Sequence, residues 1–251
     1  MYTKTSKQRS NRRRSTPPTR RRESPDRNVK PLPPSLPNAF NEVSAQIWDL
    51  DRVKAFTITT VEEILQQRNV PKHQTRTPNL EITIPAIEAM RYSPLRREIA
   101  ALIATSMDQA NADFAHPSYL NILQQLTEDE IRILRAFPGI GRVLPMAHLW
   151  NNLPGGQAQK LYRNILPADI ARVCKTKSRL PLYIDNLTRL QLIHEPDGVK
   201  IGDARIYANL VRQGFCTKIL EQPGLRKNTS LERRTIALSE AGETFRNVCL
   251  I

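Results

Sequence analysis

The first 38 residues set the strongest limit on what this chain can fold into. They hold seven of the nineteen prolines (Pro17, Pro18, Pro25, Pro31, Pro33, Pro34, Pro37), set among Ser, Thr and Arg, with few apolar residues before Phe40. Such a segment cannot bury enough surface to offset the entropy of ordering it. Residues 1–38 are therefore expected to form a disordered Arg/Pro-rich tail, and a folded body must be built from residue 39 onward.

Charge divides the chain at the same place. Residues 1–30 contain eleven basic residues against Glu23 and Asp26, so they carry +9 of the total +14 and leave +5 for the other 221 residues. The triplets Arg12, Arg13, Arg14 and Arg20, Arg21, Arg22 suit electrostatic contact with the phosphates of DNA or RNA, or with anionic lipid. Tyr2 is the tail's one base-stacking candidate before Phe40, so such contact would be blind to sequence. A solubilising tail is the alternative reading.

Several classes fall away on composition. No run approaches the roughly 18 apolar residues of a membrane span, and the first residues lack the apolar core of a secretory signal. Three scattered cysteines (Cys174, Cys216, Cys249) do not make a disulfide framework and point to reduced thiols in a cytoplasmic protein. With nine glycines in 251 residues, Gly-rich phosphate loops are not expected.

The body reads as mainly helical. Residues 39–79 are read as a helical arm and linker: Phe40–Phe56 is weakly periodic, and Thr60 with Glu63 suggests a capping box opening a short helix to about Arg68. Leu80 to Ile84 alternates like a short strand. Ser93-Pro94 is expected to start a helix with Leu95, Ile99, Leu102 and Ile103 buried. Pro117 starts another, with Tyr119, Ile122, Leu123 and Leu126 in phase. Thr127 and Glu130 form a second capping box ahead of Ile131, Leu134 and Phe137.

The C-terminal part has a recognisable order. Leu180–Ile193 is an amphipathic helix running into an extended pair, with Tyr183, Leu187 and Leu190 on the core face. Asp197-Gly198 makes a turn, Asp203 caps an inserted helix with Ile206 and Leu210, and Arg234–Leu238 reads as a strand. Ser239 then caps a last helix bearing Ala241, Phe245 and Val248. This order matches a winged helix-turn-helix, in which the middle helix enters the major groove and the wing touches phosphate. The expected fold is mainly α: a helical bundle, then a winged-helix-like α/β region over about 127–251 with a short β-wing, the whole spanning 80–251. The basic residues placed to meet nucleic acid are Lys175, Lys177, Arg179 and Arg189, with Arg226, Lys227, Arg233 and Arg234 in the wing. Asp185 on the same helix opposes that role.

Two stretches carry a family resemblance. The first runs from Ser93-Pro94-Leu95 through Met107-Asp108, His116-Pro117-Ser118-Tyr119, Gln125-Leu126-Thr127 and Asp129-Glu130 to Leu134. The second runs from Tyr183 to Ile193 and closes with Leu238-Ser239, Gly242, Phe245 and Cys249. Together, over about 85–251, they resemble the abortive-infection alpha family of prokaryotic and phage-associated proteins. The resemblance implies a setting in phage defence and supplies no catalytic residues. The Arg-rich tail departs from the family pattern, as does Gln191, which stands where a glycine often ends the motif helix.

Other constellations carry less. Phe137-Pro138-Gly139-Ile140-Gly141 resembles the hairpin of a helix-hairpin-helix, but Pro145 falls where its second helix should continue. His73, His116, His148 and His194 have no zinc spacing. Cys174 with His148 is a conceivable nucleophile pair, and Asp108, Asp129 and Glu130 a conceivable acidic nuclease centre. Cap and core roles explain these residues more simply, and Trp48 and Trp150 are expected in the core. The sequence therefore points to a non-enzymatic, cofactor-free, metal-free phage-defence protein whose basic tail meets nucleic acid. The alternative is an interaction module or effector that recognises a host or phage protein without nucleic-acid contact.

Overall fold

The computed structural model describes residues 50–222 and 225–250. The Arg triplets, Trp48 and the first part of the expected arm lie outside the described residues, as do the side chains of Phe215, Arg226 and Lys227.

Five helices come first: α1 (Leu50–Gln67), α2 (Leu80–Ala89), α3 (Arg96–Met107), α4 (Ser118–Gln124) and α5 (Glu128–Ala136). Strands β1 (Val143–Asn152) and β2 (Ala158–Ile165) come next, then α6 (Ala168–Arg172), α7 (Leu180–Arg189) and β3 (Ile193–His194). The chain closes with α8 (Ala204–Val211), α9 (Gly214–Leu220), α10 (Leu225–Asn228), β4 (Thr229–Leu238) and α11 (Glu240–Cys249).

Helix α3 is the centre of the first core. It is buried continuously from Glu98 to Ser106 and packs against α1, α2, α4 and α11. Val53, Val61, Ile64 and Leu65 of α1 join the same core as Ile99, Leu102, Phe245 and Val248. Helix α1 runs without a break through Thr60, which corrects the expected cap there: Thr57 and Thr60 are buried mid-helix. The Thr57 hydroxyl donates to the Val53 carbonyl at 2.7 Å, the back-bond that lets a threonine sit inside a helix.

Leu80–Ile84 is helix, not strand. Asn79 accepts from the Glu81 amide at 3.0 Å, which caps α2, and the buried positions Ile82, Ala86 and Ala89 keep helical spacing. Leu80 and Ile84, which made the stretch look alternating, face out. In α3, Ser93 accepts from the Leu95 amide at 3.1 Å and the helix begins at Arg96. The expected stripe is fully buried. The caps at Thr127, Asp203 and Ser239 all form.

The sheet is larger than a short wing. Its order is β2-β1-β4-β3, every pair antiparallel, so the fold is mixed rather than mainly α. β1 is central, running from Val143↔Ala237 to Asn151↔Thr229 against β4. Pro145 lies beyond the span of β1 that pairs with β2, which starts at Ala147↔Ile165, an edge-like position where a strand tolerates proline. Met146 packs into the helical core, whereas Ala147 and Leu149 pack with Ile165, Tyr207, Leu210 and Cys216 in a second cluster beneath α8 and α9. A strand buried on both faces shows no alternation to read, so β1 carries no period-two signal in the sequence.

Candidate nucleic-acid interface

The basic turn ahead of α7 is held from below by one carboxylate. Asp129, on the first turn of α5, is 5% exposed. It accepts the Lys175 amide at 2.8 Å and the Thr176 amide at 2.9 Å, the Arg132 guanidinium at 2.6 Å and the Tyr183 hydroxyl at 3.3 Å. Burial pushes its pKa up, but the two amides, Arg132 and Tyr183 outweigh that and hold it below the ordinary carboxylate range. Beside it, Glu130 accepts the Thr127 backbone amide at 2.6 Å and the Asn186 side-chain Nδ2 at 2.6 Å. The capping box of α5 and the body of α7 are therefore joined through one side chain.

This scaffold leaves the sequence-selected cations in different states. Lys175 reaches Glu128 at 3.0 Å. Lys177 and Arg179 are exposed and make no ion pair with any described residue, and neither does the nearby Arg172. Arg189 donates to Asn186 at 2.6 Å and to Gln125 at 2.9 Å. On α7 itself, Leu180, Tyr183, Ile184 and Leu187 are buried, and Asp185 pairs with Arg163 at 2.6 Å. Its exposed side chains are Leu182 and Arg189, so the free positive charge lies on the turn before the helix rather than along it. In the strand region, Arg234 pairs with Glu232 and Glu195. Arg233 lies over the Tyr207 ring at 5.7 Å. Trp150 is half-buried, donates to Glu232 at 2.8 Å and carries Lys160 over its ring at 4.6 Å.

The other sequence candidates are taken up by structural roles. Asp108 accepts from the Ala110 amide and the Asn111 side chain. It has none of the partners of Asp129 and Glu130, and among the described residues no group of three His, Cys, Asp or Glu is placed to hold a metal. The His148 Nδ1 accepts the Asn164 amide at 3.0 Å, and burial lowers its pKa. Burial pushes the Cys174 thiol up to about 11. His116 caps α4, its Nδ1 accepting from the Ser118 amide at 3.1 Å. Gly139 to Gly141 form a turn, with Gly141 at φ +78°, and lead into β1 rather than a helix. Among the described residues no helix is long and apolar enough to cross a membrane.

Sequence alone does not mark Arg172 or Tyr162, because α6 is only five residues long and β2, exposed at its start, shows no regular alternation.

No curated protein matches the chain. One solved structure is similar, that of an uncharacterized protein from the hydrocarbon-degrading marine bacterium Alcanivorax borkumensis SK2. It is 22% identical, with a TM-score of 0.30, over 56% of this chain and 94% of that one. The sequence model of the abortive infection alpha family matches residues 52–249, which includes α1, β1 and β2 as well as the motifs of α3–α5, α7 and α11. The chain belongs to the abortive infection alpha family.

Proposed function

We propose that this protein acts in phage defence of the abortive-infection kind, without catalysis, by contacting nucleic acid non-specifically from the cytoplasm. The family match over residues 52–249 carries the phage-defence reading. The contact is assigned to Arg12–Arg14 and Arg20–Arg22, aided by Lys175, Lys177, Arg179 and Arg189 around a winged-helix-like module. In that module α7 is the middle helix and β3 with β4 the wing. The antiparallel pairing Ile193↔Leu238 and His194↔Ala237 supports the wing, and the exposed cations Lys177 and Arg179 support a phosphate contact beside it.

The test is the salt dependence of duplex binding by the full chain and by a chain lacking residues 1–30. Each lost phosphate contact flattens the log–log slope by about 0.9, so the shortened chain should show a shallower slope. Equal slopes would remove the tail from the mechanism.

A second reading is favoured by one feature. Leu80 and Ile84 stand one turn apart on α2 at 63% and 64% exposure, an apolar face of the type that binds a protein partner. If that reading holds instead, Leu80→Asp with Ile84→Asp abolishes phage protection while nucleic-acid binding is unchanged.

A further inference from the structure

Between α6 and the turn into α7 lies a groove of about 450 Å³, within the size range of small-ligand sites. Tyr162, Ala168, Ala171 and Leu180 wall it, Arg172 and Lys177 stand at its rim, and among the described residues no carboxylate lines it. Tyr162 also packs against the second core cluster, which anchors its ring. Arg172 and Lys177 are exposed and form no ion pair with any described residue.

The geometry points to a nucleotide-binding groove, with a nucleobase held among Tyr162, Ala168, Ala171 and Leu180 and its phosphate held by Arg172 and Lys177. An aromatic and apolar wall takes any base by its face, and two exposed cations that form no ion pair with any described residue match a phosphate better than a singly charged carboxylate. Arg179, exposed on the same turn and without an ion pair among the described residues, supplies a further cation for a neighbouring phosphate. A free nucleotide and a nucleotide within a single strand share this chemistry. The single-strand form rests on the nucleic-acid reading above; the free-nucleotide form does not.

The experiment uses the full chain with two probes: adenosine monophosphate by calorimetry, and a labelled single-stranded oligothymidylate by anisotropy. Three variants are compared: Ala168→Trp, which fills the groove; Arg172→Glu with Lys177→Glu, both at exposed positions that the fold tolerates; and Arg12, Arg13, Arg14, Arg20, Arg21 and Arg22 all changed to Gln. The groove variants should weaken binding of whichever probe binds by about tenfold or more, the scale of one stacked base, with unchanged circular dichroism. Adenosine monophosphate competing with the oligonucleotide supports a site open to free nucleotides; oligonucleotide binding alone supports recognition within a strand. Wild-type affinity in both groove variants, or no binding of either probe by the wild type, overturns the groove. If oligonucleotide binding is lost only in the tail variant and adenosine monophosphate does not bind, the groove falls and the tail reading stands. If adenosine monophosphate binds in the groove and no nucleic acid binds at all, the groove stands and the tail reading falls.

Discussion

Gly242 and Leu192 meet so closely that a Cβ on the glycine would stand 1.9 Å from the leucine carbonyl oxygen. The same carbonyl accepts the Ser239 amide at 3.1 Å, and the Ser239 hydroxyl, donating to the Gln191 carbonyl at 2.5 Å, accepts the Gly242 amide at 2.8 Å. The Leu-Ser-x-x-Gly segment thus does two jobs. It caps α11, and it clamps that helix onto the junction between α7 and β3.

Gly242→Ala should therefore destabilise the fold by about 2–3 kcal/mol, the cost of forcing an added carbon against packed backbone. Urea denaturation gives the number. No loss, or the gain of up to about 1 kcal/mol that an unobstructed Gly→Ala change gives inside a helix, would show that the junction gives way freely.

Gln191 has φ +57°, the left-handed region that costs a side-chain-bearing residue about 1 kcal/mol or more. Gln191→Gly should stabilise the protein by roughly 0.5–1 kcal/mol, since glycine relieves the strain and gives back part of the gain in chain entropy. A raised midpoint of thermal unfolding is the expected reading, and a lowered one would mean that contacts of the side chain outweigh its backbone strain.

Asp129 contributes to the acid limb of stability. Its folded-state pKa is depressed, so its contribution is fully present above the unfolded value of about 3.9 and is lost as pH falls through the folded one. Asp129→Asn should cost about 2–3 kcal/mol at neutral pH, because charge-assisted bonds to Arg132 and two amides weaken together. The variant's stability should also vary less between neutral pH and pH values below the ordinary carboxylate range, as followed by denaturation at a series of pH values.

All three thiols are buried. Burial pushes Cys174 and Cys216 to about 11 and Cys249 well above its ordinary value, so at neutral pH the reactive thiolate is scarce. A water-soluble disulfide reagent should label the native protein far more slowly than the urea-unfolded chain. Rapid labelling of one native thiol would reveal an opening that exposes it.

The sequence by itself determined what local chemistry can encode: the caps at Thr127, Asp203 and Ser239, the buried stripe of α3, and the face of α7 built on Tyr183 and Leu187. It also carried the motifs that mark the family. Tertiary structure decided the rest. Leu80–Ile84 alternates, yet it is helical because its Asn79 cap and the burial of Ile82, Ala86 and Ala89 outweigh a five-residue pattern. β1 carries no readable alternation because Met146 faces one core while Ala147 and Leu149 face another. The cations show the same division. Lys175, Lys177, Arg179 and Arg189 are equally basic in sequence, but only the fold gives Lys175 to Glu128 and Arg189 to Asn186 while leaving Lys177 beside Arg172 at the rim of an apolar groove. Charge is a property of each residue, whereas its availability depends on which distant carboxylates and amides the packing brings within reach.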